Sequence, residues 1–189
     1  MPRALLWLLV PLIPAVALAA VKDPPLSDEK WSNKYDHHFR KYSKHYFGPN
    51  VDWRWFKAQG VAESNLKPHA KSRTGAVGVM QILPSTFKEI KRKNPHLLSI
   101  NTPRWNIAAG IYYDRYMYRR WGENELDSHE RLAFAFGSYN AGFGGVRKAY
   151  KKANKVHSKI ETWDQVSTFS SEETRRYVKR IRGLMAGVK

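Results

Sequence analysis

The 189-residue sequence contains no cysteine. That excludes a disulfide framework, thiol nucleophiles, thiolate-bound metal and a lipid-modified cysteine. Histidine offers little in its place. There are 7 His but no HExxH, and His37 and His38 are adjacent, so they do not share one helix face. No metal site and no cofactor are expected. No G-x-S-x-G elbow points to a serine hydrolase, and no GxxxxGK[ST] loop points to a bound nucleotide. Acidic residues are scarce, 16 Asp+Glu against 33 Lys+Arg, for a formal charge of +17. Such an excess favours polyanions. Nucleic acid has only the net charge behind it and is not expected as a partner. Internal repeats and low-complexity tracts are also missing.

What is present is apolar material for one packed domain: 42% hydrophobic residues, with 7 Trp, 10 Tyr and 8 Phe. Residues 4–20, "ALLWLLVPLIPAVALAA", follow the single charge of Arg3 and end in the small-x-small triplet Ala17-Leu18-Ala19, which fits an export signal. Pro11, Pro14 and a length below the ~20 residues of a spanning helix argue against an anchor. Residues 1–20 are therefore expected to be a signal peptide. Residues 21–34, polar and carrying Pro24-Pro25, read as a linker, and residues 35–189 as the folded domain. For an exported chain of this charge, the polyanion is an acidic wall polymer or an anionic envelope surface. Basic runs such as residues 88–93 and 148–155 read either as a binding face or as solvated helix surface.

Periodicity predicts a mainly α domain with at most one small β-hairpin. Tyr35, Phe39, Tyr42 and Tyr46 recur at helical spacing. Asp52 looks like the N-cap of a helix running to about Glu63, stopped by Asn65 and Pro68. Residues 66–83 form a turn-rich loop in which Val77, Val79 and Ile82 permit a short hairpin. Pro84 opens a helix to about Lys93. Further helices are expected over 103–121, over 128–142 ending at a glycine, over 145–154, and over 170–185, where acids give way to bases in accord with the helix dipole.

The candidate for chemistry is Glu63. It follows Phe56 by seven residues and Gln59 by four, so all three share one helix face. A carboxyl beside aromatic surface is desolvated, which raises its pKa from about 4.3 towards about 6, a range suited to a general acid. From the pattern alone, an exposed helix-end glutamate remains open.

Its neighbours add to this. The Glu63-Ser64 pair, the glycine-rich loop with Ser72, "GVMQ" (78–81), "NIAAGIYY" (106–113), "YNAG" (139–142) and "ETRRYV" (173–178) occur in one order. In that ordered set the chain resembles the soluble-type lytic transglycosylases, whose catalytic domain is lysozyme-like of the goose type. The lead-in "DWRWFKAQGVAES" is most similar to the membrane-bound F type. The resemblance covers roughly residues 35–185. It implies that Glu63 is the single catalytic acid, with Ser72 nearby in the active-site loop. It also implies that Gly78, Met80 and Gln81 shape the sugar groove, that Tyr139 and Asn140 lie close to the cleaved bond, and that Glu173 and Tyr177 line the cleft. Val79 stands where leucine is usual, and "FGSYNAG" replaces the common A-x-A-Y-N-A-G. Each motif keeps a structural reading. Asn140 and Gly142 suit a helix C-terminus, Gly75 and Gly78 suit turns, Tyr139 suits a core, and Glu173 suits a helix N-terminus.

Most glycosidases use two carboxylates, whereas no acid follows Glu63 before Glu89. The resemblance implies a non-hydrolytic cut of peptidoglycan strands between N-acetylmuramic acid and N-acetylglucosamine. The substrate's own C6 hydroxyl then closes a 1,6-anhydro ring and replaces water. Asp114, Glu130 and Glu173 are the carboxylates that could fold in as a second acid, which leaves a hydrolytic muramidase as the alternative. A non-catalytic cationic binder of wall or lipopolysaccharide is the other.

Overall fold

Helix boundaries follow local chemistry. In a computed structural model that describes residues 23–186 and 188, the elements run α1 (Asp36–Phe47), α2 (Arg54–Ser64), α3 (Pro84–Lys93), α4 (Pro103–Arg120), α5 (Ser128–Ala153), α6 (Trp163–Ser167) and α7 (Glu172–Met185). The expected signal peptide lies outside the described residues. Prolines occupy the first helical positions of α3 and α4, where no amide donor is needed. Asp127 caps α5 by accepting the N–H groups of His129 and Glu130, and Ser171 caps α7 by accepting that of Thr174. Asp52 accepts the Arg54 N–H at 2.9 Å, as an N-cap does, although α2 itself begins at Arg54. The hairpin reduces to two isolated antiparallel bridges, Lys71 with Val77 and Val77 with Ile82.

Two expected helices, 128–142 and 145–154, run on as one element with a kink at Gly142, whose φ of 75° and ψ of 148° leave the helical region. The short α6 has no counterpart in the periodic pattern. Its start is fixed by a capping box between Thr162 and Gln165, and Trp163 is buried against Gly137, where a Cβ would come within 2.5 Å of the indole. The stretch 23–34, expected as linker, packs on the helical body. Leu26 and Trp31 are buried, the Leu26 N–H donates to the Leu184 carbonyl at 2.7 Å, and Asp23 pairs with Arg180. Two large apolar side chains in a short polar segment give it enough area to dock.

Helix α4 packs on α1, α3 and α5, while α2 packs on α1 and α7. Phe56, Ala58 and Val61 of α2 have no exposure, so α2 is fixed at the centre and its last turn is delivered to a defined place. It ends at Asn65, whose φ of 53° is left-handed; the Asn65 N–H donates to Val61 O at 2.9 Å and that of Leu66 to Gly60 O at 3.3 Å. The following loop is held from α4 by Asn106. Its Oδ1 accepts the Met80 N–H at 2.8 Å, and its Nδ2 donates to the carbonyls of Val77 and Ile100, both at 3.0 Å. The close approach requires Gly78, which has a φ of 81° and whose added Cβ would lie 2.4 Å from the Asn106 amide.

Asn106→Ala leaves three backbone groups without their partner in a buried setting, each at a cost of ~1–3 kcal/mol. Chemical denaturation is expected to register a loss of at least ~3 kcal/mol. A loss below ~1 kcal/mol would mean that other contacts hold the loop.

Candidate active site

Glu63 occupies the last turn of α2, against which α7 packs. The packing places the Tyr177 hydroxyl 2.6 Å from Glu63 Oε1, to which it donates. Burial pushes the Glu63 carboxyl up from 4.5 to about 7, against the opposing effects of the Tyr177 hydrogen bond and the Arg180 charge. Its position among the terminal carbonyls of α2 acts in the same direction as burial, since a helix C-terminus disfavours negative charge. At neutral pH a large share of the molecules therefore carries the proton. Arg180 stays close without bonding Glu63. Its guanidinium donates to Ala62 O at 2.8 Å, to Asn65 Oδ1 at 2.8 Å and to Asp23 Oδ2 at 2.6 Å, tying the end of α2 to α7.

Tyr139 stands beside this carboxyl. Its hydroxyl donates to the Met80 carbonyl at 2.7 Å. Its phenol is held well above the usual range, first by burial and then by the nearby Glu63 charge; Tyr177 is raised for the same reasons. Both rings stay neutral hydroxyl donors. Asn140, next in the chain, accepts from Thr174 Oγ1 at 2.8 Å, and Thr174 in turn is held by the cap residue Ser171. The Tyr139–Asn140 pair is thus tied to the loop on one side and to the start of α7 on the other.

The loop residues divide by role. Met80 is fully buried, under Gly110 and Gly60, so it supports the site from behind through its backbone. Gln81, with a left-handed φ of 45°, donates from Nε2 to Ala70 O at 3.1 Å and Gly78 O at 2.9 Å. Ser72 is engaged in its own turn, accepting the Ala76 N–H at 3.0 Å and bonding Thr74 Oγ1 at 2.8 Å. Ser64 donates to Val79 O at 2.8 Å, which fastens α2 to the loop directly after the acid. Two cavities border the cluster. One of about 660 Å³ reaches Tyr113, whose ring stands edge-on to Tyr139 at 5.3 Å. The other, about 350 Å³, is lined by Asn140, Glu173 and Thr174 among others.

The three other carboxylates have different fates. Glu130 accepts from the Trp163 N–H at 2.6 Å and from Arg182 at 2.8 Å, a structural post. Asp114 has no exposure. Among the described residues it accepts only from Gln59 Nε2, at 3.1 Å, and its Oδ2 has no hydrogen-bond partner there. No cation forms a salt bridge with it among the described residues. A bare carboxylate in such surroundings is untenable; burial first, and then the Glu63 charge, raises Asp114 well above the carboxylate range. It stays protonated and out of reach of a ligand. Glu173 alone is exposed, one helical turn before Tyr177 on α7.

Asn106, Arg180, Thr174 and Ser64 escaped the sequence reading as individual site residues, although all but Arg180 fall within quoted motifs. The signal for Arg180 is its place three residues after Tyr177 on an amphipathic helix.

The family described as transglycosylase SLT domain matches residues 40–161. Among curated relatives, the membrane-bound lytic murein transglycosylase F of Photobacterium profundum is 34% identical over 128 residues, covering 68% of this chain and 23% of the relative. The protein of that name from Shewanella halifaxensis is 33% identical over 150 residues, covering 79% and 29%. Among solved structures, the 70 kDa soluble lytic transglycosylase of Escherichia coli superposes with a TM-score of 0.65 at 26% identity, over 82% of this chain and 24% of that one. An inactive mutant of the lytic transglycosylase Slt from Pseudomonas aeruginosa gives 0.68 at 25% identity, with the same coverage. The chain thus spans about a quarter of the length of the relatives it matches.

Because its folded pKa of about 7 exceeds its ordinary 4.5, Glu63 holds its proton more tightly in the native state. Its contribution is favourable below 4.5 and is lost as pH rises through 7. Glu63→Gln removes the titration. The variant should match the wild type near pH 4 and exceed it by ~3 kcal/mol at pH 8. Parallel unfolding curves for the two proteins from pH 4 to 8 would refute the shifted carboxyl.

Proposed function

The chain belongs to the transglycosylase SLT domain family, and on that premise we propose that it is a peptidoglycan lytic transglycosylase with Glu63 as its single acid and base. The observation that carries this reading is a protonatable carboxyl, bonded to Tyr177 and set beside the Tyr139–Asn140 pair. Gly78, Met80 and Gln81 shape the groove, Ser72 holds its loop, and Glu173 lines the rim. On this reading residues 35–189 are the catalytic domain, residues 1–20 are the export signal, and the enzyme works in the bacterial periplasm. Its basic surface favours an acidic wall polymer and the anionic envelope.

In the first step Glu63 gives its proton to the glycosidic oxygen, the C1–O bond breaks, and N-acetylglucosamine leaves with a free 4-hydroxyl. The acetamido carbonyl of the muramic residue stabilises the cationic C1. The Glu63 carboxylate, accepting from Tyr177 and facing the Arg180 charge, then removes the proton of the C6 hydroxyl as O6 attacks C1. The 1,6-anhydro ring closes and Glu63 is again protonated. An intramolecular nucleophile gains up to ~7–11 kcal/mol from proximity in favourable cases, so no base has to hold a water.

Digestion of purified sacculi followed by mass analysis is expected to release muropeptides with 1,6-anhydro ends, and Glu63→Gln should cut release by roughly 10³-fold. Reducing muramic ends, or binding without release, would overturn the proposal.

A hydrolytic reading is favoured by one observation, the exposed Glu173 on the Tyr177 face of α7. Glu173→Gln decides between the two. A rise in KM with kcat nearly unchanged is expected for a cleft-lining residue. A kcat loss of ~10²–10⁴ would make Glu173 a general base and the enzyme a hydrolase.

A further inference from the structure

The larger cavity lies between α3 and α4 and is closed by Phe143, just past the Gly142 kink. At about 660 Å³ it has the size of a small-molecule site. Its walls combine two chemistries. The rings of Tyr113 and Tyr116 are nearly parallel, 6.2 Å apart with 17° between planes. Lys93 Nζ lies 5.7 Å from the Tyr116 centroid. The Arg120 guanidinium lies 4.0 Å from that of Phe143 and donates to the Tyr116 hydroxyl at 2.9 Å. Arg92 completes a set of three cations on the cavity wall, against one acid, Glu89. None of these four charges forms an ion pair among the described residues.

Elsewhere the partly buried arginines divide: Arg54, Arg180 and Arg182 face carboxylates, whereas Arg115 and Arg131 lie over aromatic rings. In the cavity Lys93 and Arg120 are set over aromatic faces in the second way, an arrangement that fixes a charge without consuming it. Three like charges converging on one concavity repel one another and attract an anion, and a guanidinium suits a carboxylate in two-point contact. The aromatic walls suit the C–H faces of a sugar or an aliphatic chain. Tyr113 belongs to this cavity and also abuts Tyr139 of the candidate active site, so the two share a wall.

We propose that Arg92, Lys93 and Arg120 form a carboxylate-binding subsite that engages an acidic group carried by the glycan strand, with Tyr113 and Tyr116 as its floor. This rests on the proposed glycan substrate and specifies which part of it the enzyme reads. The carboxylate has two sources. In strands that bear peptides the lactyl group is amidated, and the free carboxylates belong to the peptide. In strands stripped of peptides, the lactyl carboxylate itself is free.

The test is binding to the full folded chain carrying Glu63→Gln, so that turnover does not intervene. Three soluble probes are titrated calorimetrically at low salt: peptide-bearing strands, peptide-free strands and uncharged N-acetylglucosamine oligomers. Adding Lys93→Gln with Arg120→Gln should weaken binding of at least one charged probe about tenfold or more, the loss of one charge-assisted contact, and that of the neutral oligomer less than about twofold. The charged probe that responds identifies the source. Arg92→Gln, at an exposed position, should act in the same direction without disturbing the Arg120 packing. Equal losses on all three probes, no loss on any, or no binding by the parent would overturn the subsite. Charge-selective binding together with an absence of anhydro products from the wild type would sink the transglycosylase proposal and leave the subsite standing.

Discussion

A half-buried carboxyl group, with one neutral hydroxyl donating to it, is the arrangement around which this domain is built. Water solvates a carboxylate far better than a protein interior does, so removal of water alone would keep Glu63 protonated. A direct ion pair with Arg180 would do the opposite and fix the negative form. The observed geometry lies between these limits. Tyr177 bonds the carboxyl, while Arg180 is engaged by the end of α2 and by Asp23. The result is a group poised near neutrality, able both to give and to take a proton.

Much of the remaining architecture serves to keep that environment fixed. The burial of α2 determines where Glu63 arrives. The Ser64 and Asn106 hydrogen bonds set the loop whose Met80 carbonyl receives Tyr139. The docking of α7 brings Tyr177 and, through Thr174, holds Asn140. Beneath the site, the protonated Asp114 lets α2 and α4 meet through Gln59 without placing a second negative charge under the acid. An ionised Asp114 would raise the Glu63 pKa further and make Glu63 a weaker proton donor in the first step of the proposed reaction.

Helix type and order were legible because α1, α4 and α5 carry long apolar stripes and α3, α4 and α7 carry recognisable starts. Glu63 was legible from its face, shared with Phe56 and Gln59, and from the ordered motifs around it. The short α6 was not, since five residues hold little more than one turn of period. The docking of residues 23–34 was hidden by polar composition, with only Leu26 and Trp31 as clues. Asp114 looked like a possible second acid because sequence spacing gives no burial. Ser72 was legible as a residue of the loop near the acid, whereas the bonding of its hydroxyl within its own turn was not. For the docked segment and Asp114 the missing information was tertiary, namely which side chains a distant element covers.

The most direct measurement is a titration of the Glu63 side chain itself, by carbon-detected NMR of the labelled carboxyl in the ligand-free protein, assigned by its disappearance in a Glu63 variant. The expected midpoint is at about 7, displaced upward when Tyr177 is replaced by phenylalanine, because the donated hydrogen bond favours the ionised form. A midpoint near the ordinary 4.5, unaffected by that substitution, would contradict it.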